Sequence, residues 1–96
     1  MEDNVVKVSE YAAELFRLAG KLISSGSSAR VRFTVGTGKT YCRVMVAEDG
    51  QELTDDENVY NLFTAADRWK RTTANYQNCR RRLIRILADV KHEVKI

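Results

Sequence analysis

Residues 29–47 read ARVRFTVGTGKTYCRVMVA, and this stretch sets the architecture because apolar and polar side chains alternate along both of its arms. A period of two predicts two β-strands, each with one buried and one exposed face. Residues 36–39 lie between the arms and include two glycines, which suits the turn of a β-hairpin. The buried positions predicted for the two strands are Val31, Phe33, Val35, Cys42, Val44 and Val46.

A helix is predicted before the hairpin, over residues 9–25. Ser9 suits the N-cap position, and Gly26 suits the left-handed residue that ends a helix. Two valines upstream extend the apolar stripe, so a start near Asn4 is the alternative. The predicted apolar face comprises Ala12, Leu15, Phe16, Ala19, Leu22 and Ile23.

A further turn is predicted after the hairpin at Asp49 and Gly50, and it allows a short third strand at residues 51–53. Thr54 and Glu57 then match a capping box, in which each side chain accepts a hydrogen bond from the other residue's backbone N–H. The sequence therefore predicts that a helix begins at Thr54.

The helical pattern continues from there to residue 94, over a length of about 60 Å for an unbroken helix. A compact domain of this size is only about 30–35 Å across. The apolar stripes before and after residues 72–75 also point about 100° apart on an ideal helix. We therefore predict either one long bent helix or two consecutive helices, with the break near residues 72–75.

These elements predict one α+β domain, residues 1–96, with a helix, a hairpin and a long helical C-terminal part. The composition, 44% hydrophobic and 30% charged, is that of an ordinary globular domain. The N-terminal residues lack the features of a signal peptide, and no apolar run predicts a membrane partner. Cys42 and Cys79 are interpreted as reduced thiols of a cytoplasmic protein.

Catalytic chemistry is not indicated by any group of residues. His92 is the only histidine, so neither a Ser-His-Asp triad nor a histidine-rich metal site is indicated. We expect no catalytic residues, no metal ligands, no cofactor and no enzymatic activity.

The strongest functional indication is a run of seven basic residues without an acidic one. It comprises Arg68, Lys70, Arg71, Arg80, Arg81, Arg82 and Arg85. Clustered arginines on a helix are typical of a surface that neutralises phosphates. A solvated basic face near the end of a helix is the simpler alternative. The residues predicted to bind are Arg68, Arg71, Arg81, Arg82 and Arg85, all expected to project away from the apolar stripe.

The outer face of the hairpin extends this prediction. Arg30, Arg32 and Arg43 share it with Tyr41, and Lys39 lies at the tip. Arginine and aromatic groups on an open sheet can hold nucleic acid, although one tyrosine is a poor stacking surface. An ordinary solvent face is the simpler interpretation of the hairpin.

The sequence thus predicts a non-enzymatic module that binds nucleic acid through its arginines. The first alternative is a small inhibitor or adaptor, such as a phage-type antagonist of a host nucleic-acid-handling or defence machine, that docks on an acidic protein groove. A further alternative is an oligomerising structural protein. A homodimer through the C-terminal helix is compatible with each of these hypotheses.

Overall fold

Two helices pack side by side on one face of a three-stranded antiparallel sheet, as shown by a computed structural model that describes residues 2–36 and 41–94. The predicted α+β class is confirmed. The turn predicted between the hairpin strands lies mostly at residues 37–40, outside the described residues. The elements are α1 (Glu2–Ser25), β1 (Arg30–Gly36), β2 (Tyr41–Ala47), β3 (Val59–Phe63) and α2 (Trp69–Val94).

The first helix begins at Glu2, close to the alternative start near Asn4 and well before residue 9, and it ends where the sequence indicates. The Ser9 hydroxyl donates to the Val5 carbonyl at 2.9 Å, one turn back, so Ser9 lies inside α1 and is not its cap. Gly26 has φ +77°, the left-handed conformation predicted for it. The Ser27 amide donates to the Leu22 carbonyl at 3.1 Å, which closes the helix end.

The hairpin forms as predicted, with β2 at the centre of a sheet ordered β1-β2-β3. Phe33 lies opposite Val44, and Val44 lies opposite Tyr60, so these three side chains share the face that meets the helices. The opposite face carries Arg32 and Arg43, and neither α1 nor α2 packs against it, although Met45 and Ala47 of β2 are buried on this side. We call this side the open face of the sheet.

The segment after the hairpin differs from the prediction. Residues 51–53 form no strand, and Thr54 begins no helix. A single 3-10 turn spans Asp56–Asn58, and β3 follows it directly to supply the third strand. The capping-box pattern at Thr54 was misleading. Pairing of residues 59–63 with the free edge of β2 stabilises the fold more than a solvated helix in this segment would.

The second helix runs without interruption from Trp69 to Val94, through the predicted break at residues 72–75. Thr72 and Asn75 instead cover the outer edge of β3. The Thr72 hydroxyl accepts from the Phe63 amide at 2.9 Å and donates to the Phe63 carbonyl at 3.1 Å. The Asn75 amide donates to the Asn61 carbonyl at 2.9 Å. This edge of the sheet is thereby closed to other strands.

The core lies between the sheet and the two helices, and its centre is formed by Leu15, Leu22, Val44, Val46, Leu62, Cys79 and Leu83. The rings of Tyr11 and Tyr76 stack beside it at 3.9 Å, with Trp69 next in line. Phe16, Ile23 and Val35, all predicted to be buried, are exposed instead. Within the described residues, neither helix is apolar enough along its length to cross a membrane.

Candidate functional site

The strands contribute positive charge and no negative charge to the open face of the sheet. Arg30 and Arg32 come from β1 and Arg43 from β2, and all three are exposed. Their faces are fixed by register, because Arg32 lies opposite Met45 and Arg43 opposite Asn61. The three strands contain no aspartate or glutamate at all. This face therefore presents arginines without an acidic side chain between them.

A fourth arginine lies at one end of the same face. Phe63 shares the open face with Asn61, because the two residues are separated by two positions on β3. The Arg68 guanidinium lies over the Phe63 ring, 4.9 Å from its centroid. This contact orients the arginine and leaves its charge unneutralised. We call Arg30, Arg32, Arg43 and Arg68 the open-face cluster.

The contacts of the open-face cluster are with neutral groups. Arg43 Nε donates to Asn61 Oδ1 at 3.0 Å, and the Arg30 guanidinium donates to the Gln51 carbonyl oxygen. None of the four arginines forms an ion pair with a carboxylate of the described residues. Neutral partners orient Arg30, Arg43 and Arg68, and Arg32 has no polar partner among the described residues, so no carboxylate offsets the charge that attracts an anionic ligand.

The arginines predicted on α2 divide into two groups, and Arg82 is the clearest correction. It was expected to project outward, yet its side chain is only 12% exposed. Its guanidinium donates to Asn58 Oδ1 at 2.8 Å, to Gln51 Oε1 at 2.6 Å and to Glu48 Oε2 at 3.2 Å. These partners lie on the connection between β2 and β3, so Arg82 holds the fold together and offers no cation to a ligand.

Arg85 and Arg80 are exposed but are paired with carboxylates. Arg85 contacts Glu48 at 2.7 Å and Asp89 at 3.2 Å, and Arg80 contacts Glu14 at 2.7 Å. The Arg85 guanidinium is the main cause of a lowered pKa of the Glu48 carboxyl. These pairs reduce the net charge of this side of α2, because each arginine is matched by an acid from elsewhere in the fold.

Arg71 and Arg81 remain as the unneutralised arginines of α2. Both are exposed, and Arg81 Nη1 donates to Asn78 Oδ1 at 3.3 Å. Lys70 lies on the same line of the helix as Arg81, three turns away. Among the described residues no carboxylate pairs with any of the three. They form a second, sparser basic surface, which we call the α2 basic surface.

Sequence reasoning identified all four arginines of the open-face cluster but not that they belong to one surface. It placed Arg68 at a helix and the other three on a hairpin, and both placements are correct, but it missed β3, whose Phe63 holds Arg68 at the open face. The signal was present in VYNLF, residues 59–63, whose β-branched and aromatic side chains favour a strand. Asn61 and Phe63, the neutral partners of the cluster, were missed for the same reason.

Neither a metal site nor a similarity to known proteins indicates a function for this surface. In residues 2–36 and 41–94, no group of three histidine, cysteine or acidic side chains is arranged to hold a metal ion. Comparisons with protein-family models, with curated proteins and with solved structures found no match. The functional argument therefore depends on the geometry and charge of the two basic surfaces.

Proposed function

We propose that this protein is a non-enzymatic module that binds single-stranded nucleic acid on the open face of its sheet. The observation that supports the proposal is that the open-face cluster places four arginines on one surface, with no carboxylate of the described residues paired to any of them. Guanidinium groups bind phosphate oxygens in a bidentate manner and keep their charge at all physiological pH values.

The layout of the face suits an extended strand. Arg32 and Arg43 are diagonal neighbours on β1 and β2, about 7–8 Å apart at the backbone. The Arg68 guanidinium, held over the Phe63 ring, adds a planar group on which a base can stack. Backbone contacts at the centre and stacking at one end would give affinity with little sequence preference.

The same arginines would also serve a protein inhibitor that docks on an acidic groove, and we treat that function as the outcome that competes in the test. Either function would operate inside a cell, which the two buried, unpaired cysteines support. The two hypotheses differ in what the arginines contact. Binding to the phosphates of a nucleic acid releases condensed counterions and makes the affinity depend steeply on salt, whereas binding to the carboxylates of a folded protein does not.

The test is fluorescence anisotropy with short single-stranded DNA, single-stranded RNA and duplex DNA over a salt series. We expect single strands to bind more tightly than duplex, with affinity that falls steeply as salt rises. The double variant R32A/R43A should weaken binding about tenfold or more and reduce the salt slope by about 1.4, since two phosphate contacts are lost.

Two matched variants locate the site. R71A/R81A removes the same charge from the α2 basic surface, and R17A/K21A removes it from exposed positions of α1. Both should bind nearly as well as the parent protein. Loss of binding in R71A/R81A alone would move the site to α2. Undetectable binding at low salt, together with recovery of one stoichiometric protein from nuclease-treated lysate, would replace the proposal with the inhibitor function.

A further inference from the structure

The edge of β1 is open, in contrast to the covered edge of β3. On β3 the backbone groups of Asn61 and Phe63 face α2, away from β2. Asn61 and Phe63 lie opposite Arg43 and Tyr41 of β2. Because the direction of backbone hydrogen bonds alternates along an antiparallel strand, the N–H and C=O groups of these two β2 residues point towards β1. By the same alternation, Val31, Phe33 and Val35 direct their N–H and C=O groups away from the sheet.

These outward backbone groups have no hydrogen-bond partner among the described residues. Val35, one of these three residues, is 69% exposed. An edge strand with free N–H and C=O groups is a template for the addition of another strand. The described structure places no helix over the edge of β1, the strand contains no proline, and its two charged residues, Arg30 and Arg32, lie on the open face of the sheet.

An apolar stripe of α1 runs beside this edge. Phe16 and Ile23 are 66% and 85% exposed and lie two turns apart on one line of the helix. Ala19 and Gly20 lie between them, and the Phe16 ring contacts the Phe33 ring at 5.4 Å. A groove of about 320 Å³ separates the stripe from β1. The open edge and the apolar stripe therefore form one continuous surface of two layers.

We propose that this surface binds a second copy of the chain, so that β1 pairs antiparallel with the partner subunit's β1 and the two α1 helices pack together. A peptide would fill the strand position but leave the exposed stripe of α1 uncovered. A partner that covers both layers must present an edge strand with an apolar helix beside it at the same spacing. A second copy presents that arrangement through a two-fold axis.

The sequence of β1 is complementary to itself. A two-fold axis at Phe33 pairs this residue with the partner subunit's Phe33, and both have outward backbone groups that can exchange two hydrogen bonds. Val31 then lies opposite the partner subunit's Val35. Arg32 falls opposite the partner subunit's Thr34, so no arginine faces another arginine directly across the new ladder.

The helical layer allows the same approach. The line of α1 that contains Phe16, Gly20 and Ile23 carries no charged residue, and its central residues are small. Two such helices can approach closely and bury the exposed rings and branched side chains. The two-fold axis also leaves both open faces on the same side. If the proposed function is correct, the dimer would present one six-stranded surface with eight arginines.

Sedimentation equilibrium from low to high micromolar concentration tests the dimer. We expect a mass that rises to twice the 11.0 kDa of the chain. A monomer over the whole range would overturn the proposal. Hydrogen exchange of backbone amides locates the interface. The Val31, Phe33 and Val35 amides should be protected in the dimer and should exchange freely in a monomer. Nucleic acid is absent from both measurements, so they are independent of the proposed function.

Three lysine substitutions at exposed apolar positions identify the interface. I23K and V35K should each give a monomer, because a charge would be buried in the helical or the strand layer. I84K, at a 40% exposed position of α2, should leave the dimer intact. Circular dichroism should show all three folded. A dimer abolished by I84K and retained in I23K and V35K would place the interface on α2 and overturn the proposal.

Discussion

Arg82 Nη1 donates a 2.8 Å hydrogen bond to Oδ1 of Asn58, a residue that is 1% exposed. Asn58 lies immediately before β3, and its side-chain amide Nδ2 donates to the Glu52 backbone carbonyl at 2.7 Å. The pair thus connects the middle of α2 to the segment that delivers the third strand. An arginine predicted as part of a ligand surface instead determines how the β2–β3 connection is held.

Replacement of Arg82 by methionine should destabilise the protein by about 2–4 kcal/mol, because Asn58 and Glu48 lose a charged donor in a partly buried place. Chemical denaturation monitored by circular dichroism measures the change. The same substitution at Arg81, one residue away and exposed, should change stability by less than about 0.5 kcal/mol. Equal effects of R82M and R81M would contradict the role assigned to Arg82.

Thr72→Val should cost about 1–2 kcal/mol of stability, since the Phe63 amide and carbonyl both lose their side-chain partner. The Phe63 amide should also exchange with solvent faster. Thr73→Val is the control, because its hydroxyl donates to the Trp69 carbonyl within the helix, and we expect an effect within about 0.5 kcal/mol. Unchanged exchange at Phe63 in T72V would show that α2 does not protect this edge.

Acid should remove the contribution of two carboxylates. The pKa of Glu14 is lowered by the hydrogen bond from the Tyr76 hydroxyl and then by that from Arg80, and the pKa of Glu48 is lowered chiefly by Arg85. The folded pKa values lie below the ordinary value of 4.5, so this stabilisation is complete above that pH. It is lost as the pH falls through the lowered values.

The Tm difference between the parent protein and the E14Q or E48Q variant measures this contribution. It should be largest near neutral pH and shrink towards zero in acid, where the native carboxyl is protonated as well. Glu10→Gln serves as the control, because the Glu10 carboxylate forms no ion pair within residues 2–36 and 41–94. A pH-independent Tm difference for E14Q would contradict the proposed linkage.

The two cysteines should react slowly with a thiol reagent in the native protein. Cys42 and Cys79 are buried, and burial raises the pKa of both thiols, that of Cys79 to about 12. Little thiolate is present at pH 8, and the reagent reaches the buried thiols only when the core opens transiently. Absorbance with Ellman's reagent should show slow labelling, and rapid labelling of both thiols in denaturant.

An introduced surface thiol calibrates this measurement. Ser24→Cys places a cysteine at an exposed position of α1, where labelling should be fast while the two native thiols remain slow. Fast labelling of either native cysteine in the folded protein would show that the core around β2 and α2 is more accessible than the structure indicates.

The error at residues 54–63 shows the limit of local patterns. Val59, Leu62 and Phe63 have helical spacing, and Thr54 with Glu57 resembles a helix start, yet the segment forms a turn and a strand. Leu62 pairs across the sheet with Cys42, 20 residues earlier. A contact of that range leaves no local period in the sequence, so pattern analysis could not weigh it against the helix.

The apparent break in α2 has the same origin. The stripe predicted before the break spans residues 59–73, and its first four members, Val59, Leu62, Phe63 and Ala66, belong to β3 and the 3-10 turn after it, so only Trp69 and Thr73 lie in α2. Within α2 itself, Thr72, Cys79, Leu83 and Ile86 are buried along one face without a change of direction. With the strand residues removed, the periodicity is that of one continuous helix.

The sequence alone determined the hairpin at residues 29–47, the helical period of α1 and the end of that helix at Gly26, because each reflects local backbone geometry. The basic character of the protein was legible for the same reason, since charge is a property of single residues. The partition of the arginines was decided only by the tertiary structure. Arg82 is paired and Arg32 is exposed because long-range packing brings Glu48 and Asn58 to Arg82 and brings no carboxylate of the described residues to Arg32.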